Sequence, residues 1–208
     1  MTFYDFWLEL KSMKAIDLQA CASIFSGSAV VRGASDSRAV MVGDLDGGGV
    51  LPRLLTKVGA PPSGSSGTLR ACDIVISLRG NANNAAVIEP SDLDGPPLFA
   101  TLDLAVIRLA DPESVSPHYI VTYLNLPATQ AILADSREGS AAKRLPLGPL
   151  KSLQVPIPDW QRQLAIVSLA REAAEERRLA DQLARLRSTL INHRLAEAAA
   201  LPMKEAAL

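Results

Sequence analysis

The stretch that decides the fold is DWQRQLAIVSLAREAAEERRLADQLARLRSTLINHRLAEAAA, residues 159–200. It contains no Pro and no Gly, and Ala, Leu, Arg and Glu dominate it, all of which favour a helix. The carboxylate of Asp159 can accept hydrogen bonds from first-turn amides and so cap the helix. The sequence therefore predicts one long helix over residues 159–198, about 60 Å in length, followed by a tail over residues 199–208.

An apolar seam runs along this predicted helix, with the 4-3-4 spacing of a short heptad repeat. One interpretation is an amphipathic helix that packs against its own domain. We favour a partner helix, because a helix of this length extends past a small domain and leaves leucines uncovered. The residues predicted to form the interface are Leu179, Leu183, Leu186 and Leu190.

The first 158 residues alternate short apolar runs with turn residues, which predicts a mixed α+β globular domain over residues 1–158. A short helix is expected over Pro117–Leu124, with proline in its first turn. Pro127 interrupts it, and a second helix is expected over residues 128–134. The predicted strands cover residues 40–42, 74–78, 85–88 and 102–109, with extended chain at 155–158.

Composition and charge narrow the classes of function. The chain has 208 residues, 48% of them hydrophobic, and a net charge of −1. It therefore lacks the overall positive charge that would by itself indicate a nucleic-acid partner. Cys21 and Cys72 are too few for a disulfide framework. No segment is typical of a membrane span, and we expect a cytoplasmic protein without a membrane partner.

Motifs for catalysis are missing from the sequence. The glycine-rich residues 43–49 lack the Lys-Ser/Thr ending of a phosphate loop, so we interpret them as a turn. His118 and His193 have no second His or Cys at ligand spacing. No serine lies in a G-x-S-x-G elbow. The sequence therefore predicts no catalytic residue, no metal site and no cofactor bound by this chain.

An ordered series of motifs runs through the second half of the chain. Ser116-Pro117-His118-Tyr119-Ile120 is followed by Gln130, Gly139-Ser140, Val155-Pro156-Ile157-Pro158 and Gln163. Upstream, Leu69 to Ile76 precedes Gly80, and residues 16–18 lead to Phe25-Ser26-Gly27. This order resembles the DNA-specificity (S) subunits of type I restriction–modification systems. In one departure from that pattern, Cys72 stands where glycine is usual.

The resemblance implies a non-catalytic protein with a target-recognition domain that reads half of a bipartite DNA site. The long helix would be the spacer and the docking site for a methyltransferase subunit, which would hold S-adenosylmethionine. A restriction subunit is a further candidate partner. Family members usually carry two recognition domains and two long helices that pack as an antiparallel coiled coil, whereas this chain has one of each.

We therefore expect a half-length subunit that forms a homodimer through its helix and reads a palindromic, interrupted site. Pairing with a different half-subunit is the alternative, and the site then need not be palindromic. A second alternative is a degenerate interaction protein that docks a methyltransferase without reading DNA. It is favoured by the charge of residues 1–158, which hold 13 Lys and Arg against 15 Asp and Glu.

Two groups of residues are candidates for DNA contact. Arginine pairs with guanine and asparagine with adenine in the major groove, and lysine and arginine bind phosphates. The alternatives are a plain turn for the asparagine-rich group and a solvated surface for the basic group. The first group is Arg79, Asn81, Asn83 and Asn84, and the second is Arg137, Lys143, Arg144 and Lys151.

Overall fold

The computed structural model describes residues 15–29, 37–45, 56–58, 67–80, 82–139 and 143–200. The chain divides into two compact units, Met1–Val167 and Ser168–Leu208. Its strands are β1 (Ala15–Asp17), β2 (Ala22–Ser26), β3 (Ser37–Val40), β4 (Thr56–Val58), β5 (Ile74–Ser77), β6 (Ala85–Val87), β7 (Leu98–Ala100), β8 (Leu104–Leu109) and β9 (Gln154–Pro156). Its α-helices are α1 (Leu18–Cys21), α2 (Pro117–Leu124), α3 (Pro127–Asp135), α4 (Leu147–Lys151) and α5 (Trp160–Ala200).

Three sheets organise the described residues of the first unit. The largest has the order β2-β8-β5-β6, and all its neighbouring strands are antiparallel. A second sheet has the order β4-β3-β7, in which β3 is antiparallel to β4 and parallel to β7. The third pairs β1 with β9 in antiparallel register. The predicted α+β class is confirmed.

The largest sheet is buried on both faces because β5 and β8 carry apolar residues at consecutive positions. Side chains alternate between the faces of a strand. Ile74 and Ile107 therefore join a core that contains the buried residues of α2 and α3. Val75 and Val106 join a second core, shared with residues of β3 and β7. This double burial explains why β5 and β8 are continuous apolar runs.

Gly27 marks a close approach between β2 and the end of β7. Its N–H donates to the Leu104 carbonyl over 3.0 Å. A Cβ at this position would lie 2.2 Å from the Thr101 carbonyl oxygen. Only glycine fits there without backbone movement, which gives a steric reason for the glycine that ends the opening motif.

The predicted short helices are present, with changes at their ends. Ser116 caps α2 by accepting from the Tyr119 N–H at 3.4 Å, and Pro117 occupies the first turn. Pro127 is the first residue of α3 rather than a residue before it, because proline is well tolerated at a helix start. The sequence prediction missed α1, α4 and the short strands β4 and β7.

The strand predicted at residues 40–42 is wrong in its position. The strand is Ser37–Val40, and Val42–Asp44 forms a 3₁₀ turn. The Asp44 carboxylate accepts from the Met41 N–H at 2.8 Å and stabilises that turn. Most of the turn predicted for the glycine-rich residues 43–49 lies outside the described residues.

The long helix is confirmed as α5, Trp160–Ala200. Asp159 caps it as predicted, since its Oδ1 accepts from the Arg162 N–H at 3.0 Å. No helix in the described part of the chain combines the length and the hydropathy needed to cross a bilayer.

Candidate nucleic-acid interface

Three arginines from distant parts of the sequence lie around the segment that follows β5. Arg79 and Arg144 form an isolated antiparallel backbone bridge. The Arg137 guanidinium donates to the Gly80 carbonyl over 3.2 Å. We call Arg79, Arg137 and Arg144 the arginine cluster. Strand pairing and side-chain hydrogen bonds thus bring members of both predicted groups of DNA-contacting residues to one place.

Arg79 and Arg144 of the cluster also contact the turn between β7 and β8. The Arg79 Nε lies 2.9 Å from the Asp103 Oδ1, and both side chains are about half exposed, 48% and 46%. The Arg144 Nη2 donates to the Leu102 carbonyl over 3.0 Å. Asp103 therefore neutralises part of the positive charge and orients the Arg79 guanidinium.

Lys143 directly precedes Arg144 of the cluster, in a segment whose backbone is attached to the residue that follows β5. Glu138 and Arg144 exchange backbone hydrogen bonds of 2.9 and 2.8 Å, and the Leu145 N–H donates to the Leu78 carbonyl at 2.9 Å. The Lys143 side chain is exposed. Its position suits a phosphate contact at the edge of the cluster.

Asn83 has a structural role in this conformation. It is completely buried, and its Nδ2 donates to the Ser77 carbonyl at 2.6 Å. Its Oδ1 accepts from the Arg137 Nε at 2.8 Å. Because both ends of the amide bind the chain itself, we assign Asn83 to positioning Arg137 rather than to contact with a base.

Amide side chains take the place of a missing strand at the edge of the largest sheet. The Asn125 side chain exchanges two 2.9 Å hydrogen bonds with the backbone of Ala85. The Gln130 side chain exchanges two more, also of 2.9 Å, with the backbone of Asn83. These four bonds satisfy edge groups that otherwise need water or another strand. They also hold the segment that carries Arg79.

The other predicted residues are placed differently. The Asn84 Nδ2 donates to the Leu45 carbonyl at 3.0 Å, so its side chain contacts the 3₁₀ turn that follows β3. Lys151 ends α4, a helix that packs against β2 and α1. Asn81 lies outside the described residues.

A second charged group lies at the other end of β5. The carboxylate of the buried Asp73 accepts from Arg108 Nε at 2.7 Å and Nη2 at 2.6 Å, a bidentate pair. The hydrogen bond to Asp73 raises the pKa of Arg108 further above its ordinary value. The guanidinium also lies over the Phe25 ring, 5.4 Å from its centroid. This pair joins β5, β8 and β2.

Gln163 ties the first turn of α5 to the loop before α2. It is almost completely buried. Its Oε1 accepts from the Ser116 N–H at 2.8 Å, and its Nε2 donates to the Ser114 and Pro158 carbonyls at 3.1 and 2.9 Å. A glutamine with three internal partners fixes where the helix begins.

The predicted interface leucines of α5 are exposed. Their exposed fractions are 51% for Leu179, 49% for Leu183, 60% for Leu186 and 53% for Leu190. Ile191 and Leu195, which lie off the seam, are exposed to 58% and 62%.

Sequence reasoning missed Asp103, Asn125 and the structural role of Gln130. Asp103 carries no local signal beyond its place in a turn between strands. Gln130 belongs to the motif series, but its partner Asn83 lies 47 residues away in the chain. The described residues contain no group of three or more His, Cys, Asp or Glu side chains suited to a metal ion.

Comparison with known proteins finds similarity in structure and not in sequence. No protein-family profile matches the chain, and no curated protein matches it in sequence. A chain from a structure of the type I R-M system, described in terms of its complex assembly and conformational transition, matches with a TM-score of 0.62 at 16% identity. This match covers 94% of the present chain and 50% of the other.

Two further solved structures show a similar fold. The type I restriction–modification S subunit from M. genitalium gives a TM-score of 0.50 at 16% identity, over 88% of this chain and 43% of that one. The HsdS subunit from Thermoanaerobacter tengcongensis gives 0.53 at 14% identity, over 83% and 44%. The chain thus spans about half the length of the structures it matches, and it has the fold of the S subunits of type I restriction–modification systems.

Proposed function

We propose that this chain is a non-catalytic DNA-specificity subunit that directs a type I methyltransferase or restriction complex to a bipartite DNA site. The observation that carries the proposal is the likeness of fold over 94% of the chain. Residues 1–158 serve as the recognition domain and residues 159–198 as the spacer and dimerisation helix. The complex acts on DNA in the cytoplasm, and S-adenosylmethionine is held by the methyltransferase partner.

The arginine cluster is the proposed site of DNA contact. Arg79 is half exposed, and its ion pair with Asp103 is made through Nε. Arginine is the residue type that pairs in a bidentate way with guanine. Arg137, Lys143 and Arg144 neutralise phosphates beside it. Asn84 lies in the same segment and is a further candidate, as is Asn81. Lys151 contacts DNA at a separate point.

Two copies associate through the exposed leucines of α5 in this proposal. Each copy then presents one recognition domain, so the pair reads a palindromic, interrupted site. Pairing with a different half-subunit gives a site with unlike halves. A restriction subunit joins the complex through the methyltransferase.

A second candidate function is a docking protein that binds the methyltransferase without reading DNA. Two observations favour it: the excess of 15 Asp and Glu over 13 Lys and Arg in residues 1–158, and the ion pair between Arg79 and Asp103. Both lower the attraction for phosphates. In the first candidate, most phosphate contacts come from the partner subunits.

Sequencing the methylome of the native cells separates these functions. We expect that deleting the gene removes methylation from one adenine-containing motif and that the wild-type gene restores it. A docking protein that does not read DNA restores no particular motif. A methylome unchanged by deletion would contradict the proposed function.

Two single substitutions test the site within the assembled complex. Arg79→Ala is expected to relax preference at one base pair, with a loss of about 1–3 kcal/mol in discrimination. Lys143→Ala is expected to weaken binding on all sequences and to lower the slope of affinity against salt by about 1. Equal losses on every sequence from Arg79→Ala would refute its reading role.

A further inference from the structure

Leu102 is a large apolar side chain that is exposed beside the arginine cluster. It is 49% exposed, and its own carbonyl accepts from the Arg144 Nη2 at 3.0 Å. The next residue, Asp103, forms the ion pair with Arg79. In the described part of the chain, the other large hydrophobic side chains that are exposed lie in α3, in α5 or directly before α3. Leu102 therefore differs from them in being flanked by two arginines of the cluster.

Backbone hydrogen bonds fix the turn that carries Leu102. Leu102 and Asp103 are its two central residues, and the Leu104 N–H closes it by donating to the Thr101 carbonyl at 2.9 Å. The Asp103 carbonyl accepts from the Leu78 N–H at 2.8 Å, and the Thr101 N–H donates to the last residue of β3 at 3.2 Å. A side chain on a fixed backbone loses little conformational freedom when it binds a ligand. The turn thus offers Leu102 as a preformed contact.

The charges around this turn favour base edges over the phosphate backbone. The Asp103 side chain is 46% exposed, and a carboxylate close to a phosphate is electrostatically unfavourable. The cytosine amino group, by contrast, donates to carboxylates in the major groove. DNA that binds the arginine cluster therefore brings base edges to the turn and phosphates to Arg137 and Lys143.

The spacing of the turn matches the spacing of base pairs. Adjacent Cα atoms lie about 3.8 Å apart, and adjacent base pairs about 3.4 Å apart. A guanine contact by Arg79, which pairs with Asp103, then places Leu102 at the level of the neighbouring base pair. The apolar group that a base pair presents in the major groove is the 5-methyl group of thymine.

We propose that Leu102 is a specificity-determining residue, which packs on the 5-methyl group of a thymine in the base pair next to the one read by Arg79. This inference rests on the proposed function, because it adds a reading residue to the same site. The contact selects thymine by burying its methyl group and makes no hydrogen bond. Burial of one methyl group corresponds to a change of about 4-fold in Kd.

Uracil substitution tests the contact without altering the protein. The assembled complex is given duplexes that contain its methylated motif, in which each thymine of one half-site is replaced in turn by uracil. Uracil lacks only the 5-methyl group. We expect the replacement at one position to raise Kd about 4-fold and the others to leave it unchanged. A half-site without thymine, or the same Kd for every replacement, would overturn the proposal.

Leu102→Ala assigns the effect to this side chain. The variant is expected to bind thymine and uracil duplexes equally, so the ratio of their Kd values falls from about 4 to about 1. Leu126→Ala is the matched control, since Leu126 is 43% exposed and lies at the opposite end of α3 from Arg137. It is expected to keep the ratio of about 4. A Leu102→Ala complex that keeps this ratio would refute the contact.

Insertion of Leu102 between base pairs from the minor groove is a different contact and gives a different result. Apolar side chains that insert in this way bend the duplex, but they do not approach the 5-methyl group, which lies in the major groove. Leu102→Ala then weakens binding while thymine and uracil duplexes bind alike. That outcome also overturns the proposal.

These results are distinguishable from failure of the proposed function. A methylome without a motif that depends on this chain refutes the proposed function, and the Leu102 contact with it. A motif that is methylated and bound by the complex, yet bound equally with thymine and with uracil, refutes the Leu102 contact and leaves the proposed function intact.

Discussion

Cys72 occupies a backbone conformation that L-amino acids rarely adopt. Its φ is +68°, the only positive φ outside glycine among the described residues. It is the third residue of a turn closed by a 3.1 Å hydrogen bond from the Asp73 N–H to the Arg70 carbonyl, and such a position favours glycine. Cys72 therefore stands in place of the glycine of the S-subunit pattern without loss of the turn.

We expect Cys72→Gly to raise the free energy of unfolding by roughly 0.5–1 kcal/mol, because glycine relieves the left-handed strain and keeps the turn. Urea unfolding measures the change. Ala71→Gly is the control at the neighbouring position, where φ is not positive, and it is expected to lower stability by roughly 0.5–1 kcal/mol. Equal effects of the two substitutions would contradict strain at Cys72.

Tyr119 makes stability depend on pH in alkaline solution. Burial raises the pKa of Tyr119 well above its ordinary value near 10, and the neighbouring Tyr123 adds to the rise. Burial also raises the pKa of Tyr123. The unfolded chain thus releases these protons first, so stability is complete below about pH 10 and falls as pH increases beyond it.

Tyr119→Phe is expected to flatten this alkaline loss while lowering stability at pH 7 by about 1 kcal/mol, because the hydroxyl no longer donates to the Pro156 carbonyl. Unfolding free energies at several pH values from 7 to 11.5 measure both effects. An unchanged pH dependence would show that Tyr119 is not the responsible group.

At the scale of elements, the outer edge of β6 is bonded by helix side chains rather than by another strand, while its inner edge pairs with β5. Asn125, at the end of α2, and Gln130, on α3, satisfy alternate backbone positions of this edge, at Ala85 and Asn83. Gln130 also donates to the Leu124 carbonyl at 2.8 Å and so links the two helices. The backbone of Asn83 and Ala85, after β5, is therefore held by side chains from both helices.

We expect Gln130→Ala to lower the free energy of unfolding by roughly 2–3 kcal/mol, since it leaves buried backbone groups of Asn83 without partners. Urea unfolding measures the loss, and hydrogen exchange should show faster exchange at the Asn83 amide. Gln161→Ala, at an exposed position of α5, is the control and should change stability by less than about 0.5 kcal/mol. Similar losses from both would refute the edge role.

The whole molecule is nearly neutral, with a net charge of −1. Three of its arginines, Arg79, Arg137 and Arg144, nevertheless lie together. Net charge describes the average field, whereas a DNA contact depends on the local one. We therefore expect weak binding of DNA by the isolated chain and tighter binding by the assembled complex.

For the molecule as a whole, we predict association through α5. We expect the chain to be a dimer at micromolar concentration by light scattering and Leu183→Asp to make it a monomer, because a carboxylate in the seam must be desolvated on pairing. Ile191→Asp is the matched control, since Ile191 is at least as exposed as Leu183 but lies off the seam. A wild-type monomer would contradict the dimer, and so would equal effects of the two substitutions.

The sequence by itself determined α5, its Asp159 cap and the helix over Pro117–Leu124, because propensity, capping and proline placement act over neighbouring residues. It also indicated β5 and β8, whose apolar runs are buried on both faces. Only the tertiary structure decided that Arg79, Arg137 and Arg144 lie together, that Asn83 is buried, and that Gln130 completes the sheet edge. Those contacts join residues about 40 to 65 positions apart, and the pairing of strands and helices that creates them leaves no local pattern.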